Sequence, residues 1–293
     1  MIAYNSKEWF TLIFQFHKSD TFRILFPTMI LLGFITGLLC FIEKRYLSME
    51  IPSLTIFHQI AGFIISMVLV FRINTAYDRW WEGRKLWGAL INTTRNLAIH
   101  LSTFIPQTNL KLRKEMHTLI SNYPFALKEH LRGNVTVEDI KYTSTFTLTE
   151  YEKISHKPNY IAKQLSELIL KFTKEHVQTP NDYLVLSQQT NQLTEICGAC
   201  ERIKSTPIPY SYSIFIKKMI FLYIITMPVT FGLTIGYWSI PIVMIMFYAF
   251  ASLELISEEI EDPFGTDSND LPTDEISVRI KESTREILIG NDN

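Results

Sequence analysis

The chain has 293 residues and a formal net charge of −1; 47% of its residues are hydrophobic and 13% aromatic, with 20 Phe against 11 Gly. Length alone would allow one or two soluble domains, but the apolar residues are gathered into runs too long for that reading. No nucleic acid is expected as a partner.

In chain order, residues 1–20 crowd Trp9, Phe10, Leu12, Ile13, Phe14 and Phe16 together, as an amphipathic helix on a membrane surface or packed under a bundle would. Ile24–Ile42 then runs 19 residues without a formal charge, Ile51–Phe71 runs 21 with one histidine, His58, and Met219–Leu253 runs 35. A helix crosses the ~30 Å hydrocarbon core with about 20 apolar residues. The first two runs therefore supply one crossing each. The third would be ~52 Å long as a single helix, and "GYWSIP" (236–241) offers a turn near its middle. Four transmembrane helices are expected, at about 22–43, 54–73, 216–235 and 239–257. The first run starts late and lacks a small-residue cleavage pattern, so it is not read as a signal peptide.

Between the second and third runs, residues 75–106 continue as helix without a proline or a glycine pair. Helical patterns resume at 108–131, 147–155, 159–175 and 180–205, punctuated by Pro106, Gly133-Asn134, Pro158, Pro180 and Pro207. No β-sheet is expected, and Asn134–Thr149 has the weakest pattern. The class is all-α: a multi-pass membrane protein with a large helical cytoplasmic domain. The expected divisions are 1–73 (N-terminal helix and two spans), 74–215 (cytoplasmic helices), 216–257 (two spans) and 258–293 (an acidic C-terminal segment wrapping the cytoplasmic domain).

Segment 72–218 carries 20 Lys and Arg against 13 Asp and Glu. Arg72, Arg79, Arg84, Lys85, Lys217 and Lys218 lie near span ends, so this segment is placed in the cytoplasm, and four spans put both termini there. Segment 254–293 has 3 basic and 12 acidic residues. Ile276, Val278, Ile280, Ile287 and Leu288 give it apolar anchors for docking on the basic domain. The location expected is the cell (inner) membrane.

Few residues suggest chemistry. Cys197 and Cys200 form a C-x-x-C, which zinc or redox work can use, but no second pair accompanies them and no βαβ setting surrounds them. With Cys40 they are read as reduced and structural. The histidines form no H-E-x-x-H. His58, inside a span, reads equally as part of a pore mouth with Gln59 or as a polar interface residue. No P-loop, G-x-G-x-x-G or G-x-S-x-G appears, so no enzyme is expected.

The second run is more informative. At ~100° per residue, Phe63, Met67 and Phe71 share one stripe, and the stripe continues through Asn74, Asp78, Trp81 and Lys85. One face thus changes from apolar to polar at Phe71/Asn74. Gly62 and Ser66 beside it permit close helix packing. In "NTAYDRWWEGRKLWG" (74–88), Trp80, Arg84 and Trp87 share another face, suited to cation–π contacts. Glu82 is spaced to pair with Arg79 and Lys85. After the fourth span, "EEIEDPFGTDSND" (258–270) gathers carboxylates without the spacing of an EF-hand.

"FRINTAYDRWWEGRKLWG", "ERIKSTPIPYSYS" and "EEIEDPFGTDSNDLP", in this order and at these places, resemble the bestrophin family, most closely its bacterial branch. The resemblance covers nearly the whole chain. It implies a homopentameric, all-helical ion channel in membrane lipid, with the second helix of each subunit lining a hydrophobic neck at Phe63, Met67 and Phe71. Met67 departs from the Ile or Phe usual there. It places a cytoplasmic aperture at Asn181, with Leu184 as the fallback register. It implies a possible calcium clasp at Glu259, Asp262, Asp267 and Asp270, although Ser268 and Asn269 interrupt the acidic run of animal members; no other cofactor is expected. Small monovalent ions are expected to pass passively, and a ring of Asp78 at a polar mouth with Asn74 leans the expectation to cations. The alternatives are an anion channel, as in animal bestrophins, and, in another class, a non-conducting scaffold.

Overall fold

The computed structural model describes residues 20–46, 52–133, 139–143, 146–176 and 180–290. The amphipathic stretch expected at 1–20 lies almost wholly outside the described residues. The described residues contain helices and no strand: α1 (Asp20–Tyr46), α2 (Pro52–Phe104), α3 (Leu110–Arg132), α4 (Leu148–Lys153), α5 (Lys157–His176), α6 (Pro180–Ser205), α7 (Tyr210–Ile235), a 3-10 turn (Gly236–Trp238), α8 (Ser239–Glu261) and α9 (Thr273–Leu288). They fall into two compact units, one of residues 2–79 and 207–261, the other of residues 80–206 and 262–293.

Three helical stretches in the described residues are long and apolar enough to cross a membrane: Thr21–Tyr46, Thr55–Phe104 and Tyr210–Glu261. The third is folded back on itself. The Ile208 N–H donates to Glu261, Lys217 pairs with Glu258, and Tyr223 meets Phe250 edge-on at 5.6 Å. Partners that climb along α7 while descending along α8 make an antiparallel hairpin. Gly236, at φ 60°, turns the chain where a side chain would be strained. Pro241 sits in the first turn of α8, where its missing N–H costs no helical bond. The end of α1 packs on this turn: Lys44 lies over the Tyr237 ring at 4.6 Å, and Cys40 Sγ is 3.1 Å from Ser239 Oγ. The core of the unit joins Ile65 and Leu69 of α2 to Ile216, Ile220 and Met227 of α7 and Val243 and Phe250 of α8.

α2 continues for 53 residues with Pro52 at its start and none inside. Its distal half joins the second unit, where Trp87, Leu90, Leu97 and Leu101 are buried with Met116, Tyr123 and Leu127 of α3, Ile161 and Leu165 of α5, and Leu193 and Cys197 of α6. Each such side chain withdrawn from water contributes about 1.5–3 kcal/mol before conformational entropy is charged against it. Asn109 caps α3, accepting from the Leu112 N–H at 3.2 Å. Gly133, at φ 73°, ends it by donating to the Glu129 and His130 carbonyls.

α9 lies against α3. Ile276, Ile280 and Leu288 are buried, whereas Val278, expected as an anchor, is 45% exposed. Buried Lys128 reaches Asp274 at 2.7 Å and Asp139 at 3.1 Å, and Arg132 meets Asp274 at 2.8 Å. Burial first, and then the charges of Lys141, Arg285 and Lys281, hold His117 down to about 4, and its Nδ1 lies 3.3 Å from the Thr284 hydroxyl of α9. The ordinary histidine value is 6.5. Between 6.5 and about 4 the unfolded chain therefore binds a proton that the folded chain refuses. This contribution is whole above 6.5 and is lost as pH falls through about 4. Acidification over that window should loosen α9 in hydrogen exchange, and His117→Gln should flatten the dependence; an equally steep profile in the variant would reject the assignment.

Candidate functional site

The face of α2 turned away from its own unit's core carries the candidate site. Ile65, Leu69, Arg72 and Ala76 are buried at 3%, 1%, 1% and 0%, while Phe63, Met67 and Phe71 are 72%, 51% and 56% exposed. One turn on, Asn74 and Asp78 are exposed on the same side, and Trp81 and Lys85 after them. No salt bridge engages Asp78 among the described residues. The result is one uncovered stripe, apolar to Phe71 and polar from Asn74. Exposed apolar side chains also occur on α1 and α7, Phe34 and Phe221 among them. The stripe of α2 differs in becoming polar without leaving its face.

The opposite side of α2 is held by close packing and by charge. A Cβ on Gly62 would stand 2.7 Å from the Tyr223 hydroxyl, so this glycine admits α7; Ser66 is exposed and donates back to the Gly62 carbonyl at 2.8 Å. His58 is turned inward. Its Nε2 is 3.0 Å from the Thr226 hydroxyl and its Nδ1 3.1 Å from that of Thr230. It is 1% exposed, so the pore-mouth reading of His58 is corrected to a helix-packing one, and Gln59 alone faces outward.

Arg72 was missed. Counted in sequence as a solvent-side charge, it is 1% exposed and bonded to Glu261 at 2.7 Å, with Glu254, itself 4% exposed, 3.7 Å away. Glu261 Oε1 also accepts the Ile208 N–H at 2.6 Å, and its carbonyl accepts from Arg79 Nε at 3.0 Å. The signal was present: Arg72 and Glu254 are the first charges beyond two apolar runs, and they are opposite in sign.

In the second unit, the segment after α8 closes on α2. Trp80 Nε1 donates to the Asn269 carbonyl at 3.0 Å, and Trp87 is wholly buried. A Cβ on Gly83 would meet Pro263 at 3.1 Å and the Phe264 ring at 3.2 Å. Gly83 is therefore the seat of "DPFG". Replacing Gly83 by Val should cost about 1–3 kcal/mol through overpacking, read as a lower unfolding midpoint; an unchanged midpoint would show that the seat is empty in solution. Glu82 bonds Arg202 at 2.7 Å rather than Arg79 or Lys85, so the expected local pairs are replaced by a long-range one.

Among the expected calcium residues, Asp262 pairs with Lys204, and Asp270, 3% exposed, accepts the Asp267 N–H at 2.7 Å. Glu259 is half-buried in α8. Asn181 lies in the first turn of α6, and its side chain lies outside the described residues; Leu184 is 61% exposed. Cys197 and Cys200 are buried within α6, and burial followed by the Glu201 charge pushes the Cys197 thiol up to about 12, far from a reactive thiolate.

Residues 1–286 match the family model described as Bacterial/Fungal Bestrophin protein. A voltage-dependent anion channel-forming protein of Nostoc is 32% identical over 285 residues, covering 94% of this chain and 91% of that one. A second protein of that description, YneE of Escherichia coli, is 29% identical over 278 residues, covering 94% and 90%. In fold, the crystal structure of a bacterial bestrophin homologue from Klebsiella pneumoniae superposes with a TM-score of 0.81 at 22% identity, over 92% of this chain and all of the other.

Proposed function

The chain belongs to the bacterial and fungal bestrophin family, and on that premise we propose that it is a passive ion channel rather than an enzyme, built from five copies of the chain around the exposed stripe of α2. The observation that carries the proposal is the unbroken passage of that stripe from Phe63, Met67 and Phe71 to Asn74 and Asp78 while the opposite face is buried. Placed around an axis, the three apolar residues make a neck that ions enter partly dehydrated, and Asn74 and Asp78 make its polar mouth. In this reading α1, the first part of α2, α7 and α8 cross the inner membrane, both termini are cytoplasmic, and Asn181 rings a second aperture.

The conducted ion is an anion, chloride foremost. The lean to cations rests on the Asp78 ring and on the resemblance to a bacterial type that favours monovalent cations, whereas the relatives named as anion channel-forming proteins favour the alternative. Asp78 is then a rim residue of the mouth, and selectivity is left to the neck. The test is a reversal potential across a planar bilayer in a NaCl gradient. A potential that follows chloride supports the reading, and one that follows sodium restores the cation channel. Absence of any conductance from reconstituted protein would favour a scaffold. No cofactor is required for conduction. Glu259, Asp262, Asp267 and Asp270 would carry any calcium dependence, so the same recording is made with and without calcium.

A further inference from the structure

Three residues that the channel reading leaves unused meet in the second unit. His130 stands in the last turn of α3, His156 immediately before α5, and Glu201 in the last turns of α6. His130 Nε2 and His156 Nε2 approach the same atom, Glu201 Oε1, at 2.6 and 2.8 Å. The two imidazole rings lie 4.5 Å apart, tilted by 36°. Among the described residues, this is the group of His, Cys, Asp or Glu whose donor atoms all fall within 4.8 Å of one another. Their side chains are 26%, 33% and 36% exposed, so an ion has a way in and water can complete its shell.

We propose that His130, His156 and Glu201 form a zinc-binding site that fastens the end of α3 and the start of α5 to α6. Two imidazole nitrogens and one carboxylate oxygen, with an open position for water, are a ligand set that zinc takes readily. Tetrahedral bonds of about 2.0–2.1 Å set ligand atoms roughly 3.3 Å apart. His130 and His156 must therefore withdraw from the carboxylate by roughly 0.7 and 0.5 Å, a small rotation for side chains with one edge in solvent. His156 Nδ1 now accepts the Asn159 N–H at 3.3 Å, at an exposed position in the first turn of α5. When Nε2 binds the metal, the ring proton moves to Nδ1 and the Asn159 N–H passes to water, as first-turn donors commonly do. The converging residues come from three separate elements, so no short sequence motif announces the site.

The test uses the full chain, purified with any affinity tag removed. Isothermal titration with zinc should show one ion per chain, and cobalt bound in its place should give the strong visible absorption of a four- or five-coordinate ion. The double substitution His130→Gln and His156→Gln should abolish the stoichiometric site, and Glu201→Gln should weaken it at least tenfold. Elution volume and helical circular dichroism serve as controls of folding. Should the double variant fail to fold, the cobalt spectrum of the wild type and the Glu201→Gln titration decide the matter. Zinc binding that is absent from the wild type, equal in a folded double variant, or undiminished in Glu201→Gln would overturn the assignment. So would a weak, aqua-like cobalt spectrum.

Discussion

Replacing Phe63, Met67 and Phe71 together by alanine is expected to raise single-channel conductance at least about tenfold, equivalent to removing roughly 1.4 kcal/mol from the barrier. These side chains make little of the chain's own core, being 72%, 51% and 56% exposed, so the fold should survive their truncation. What they set, in the proposed assembly, is the bore and dryness of the neck. A narrow apolar ring excludes water and makes an ion shed part of its shell; alanines widen the ring and let water fill it. Met67 should contribute least when replaced alone, because an unbranched thioether yields more easily than a phenyl ring. Single-channel recording of the triple variant decides the matter, and a conductance equal to that of wild type would remove α2 from the pore.

Arg72→Met should be among the most destabilising single changes in the chain, at about 3–5 kcal/mol. The guanidinium is 1% exposed and faces Glu261 at 2.7 Å and Glu254 at 3.7 Å. Its removal leaves two carboxylates beside an apolar bundle without the buried cation that faces them both. Keeping a pair is worth little against an apolar replacement of all its members, but breaking one is costly. Combining Arg72→Met with Glu254→Gln and Glu261→Gln should therefore recover part of the loss. Chemical denaturation in detergent, arranged as a mutant cycle, measures both effects. A cost below about 1 kcal/mol for Arg72→Met would mean that water reaches the pair and screens it.

The features legible in the sequence are those governed by periodicity. Runs without charge announced the apolar helices, "GYWSIP" announced the turn between α7 and α8, and the 3.6-residue period put Phe63, Met67, Phe71, Asn74 and Asp78 on one uncovered face. Contacts between distant segments were not legible. Gly62 reads as a small residue, but only the folded chain reveals Tyr223 against it. Glu82 has basic neighbours at helical spacing, yet its partner is Arg202, since exposed local pairs are weak enough for tertiary geometry to override. His58 lies in an apolar run, where its polarity alone does not tell a pore from a hydrogen bond to a threonine of the next helix. The His130–His156–Glu201 cluster is the extreme case, because its members share no element.

The uninterrupted course of α2 has a consequence for how this gene can vary. Pro52–Phe104 is one helix, so inserting or deleting a single residue between Phe71 and Asn74 would turn the helix positions that follow by about 100° relative to Phe63, Met67 and Phe71. Asn74 and Asp78 would leave the stripe, and the passage from apolar neck to polar mouth would be broken. Point changes along this stretch alter one contact, whereas a shift of frame alters them all. Differences in length among relatives should therefore collect in the segments between helices.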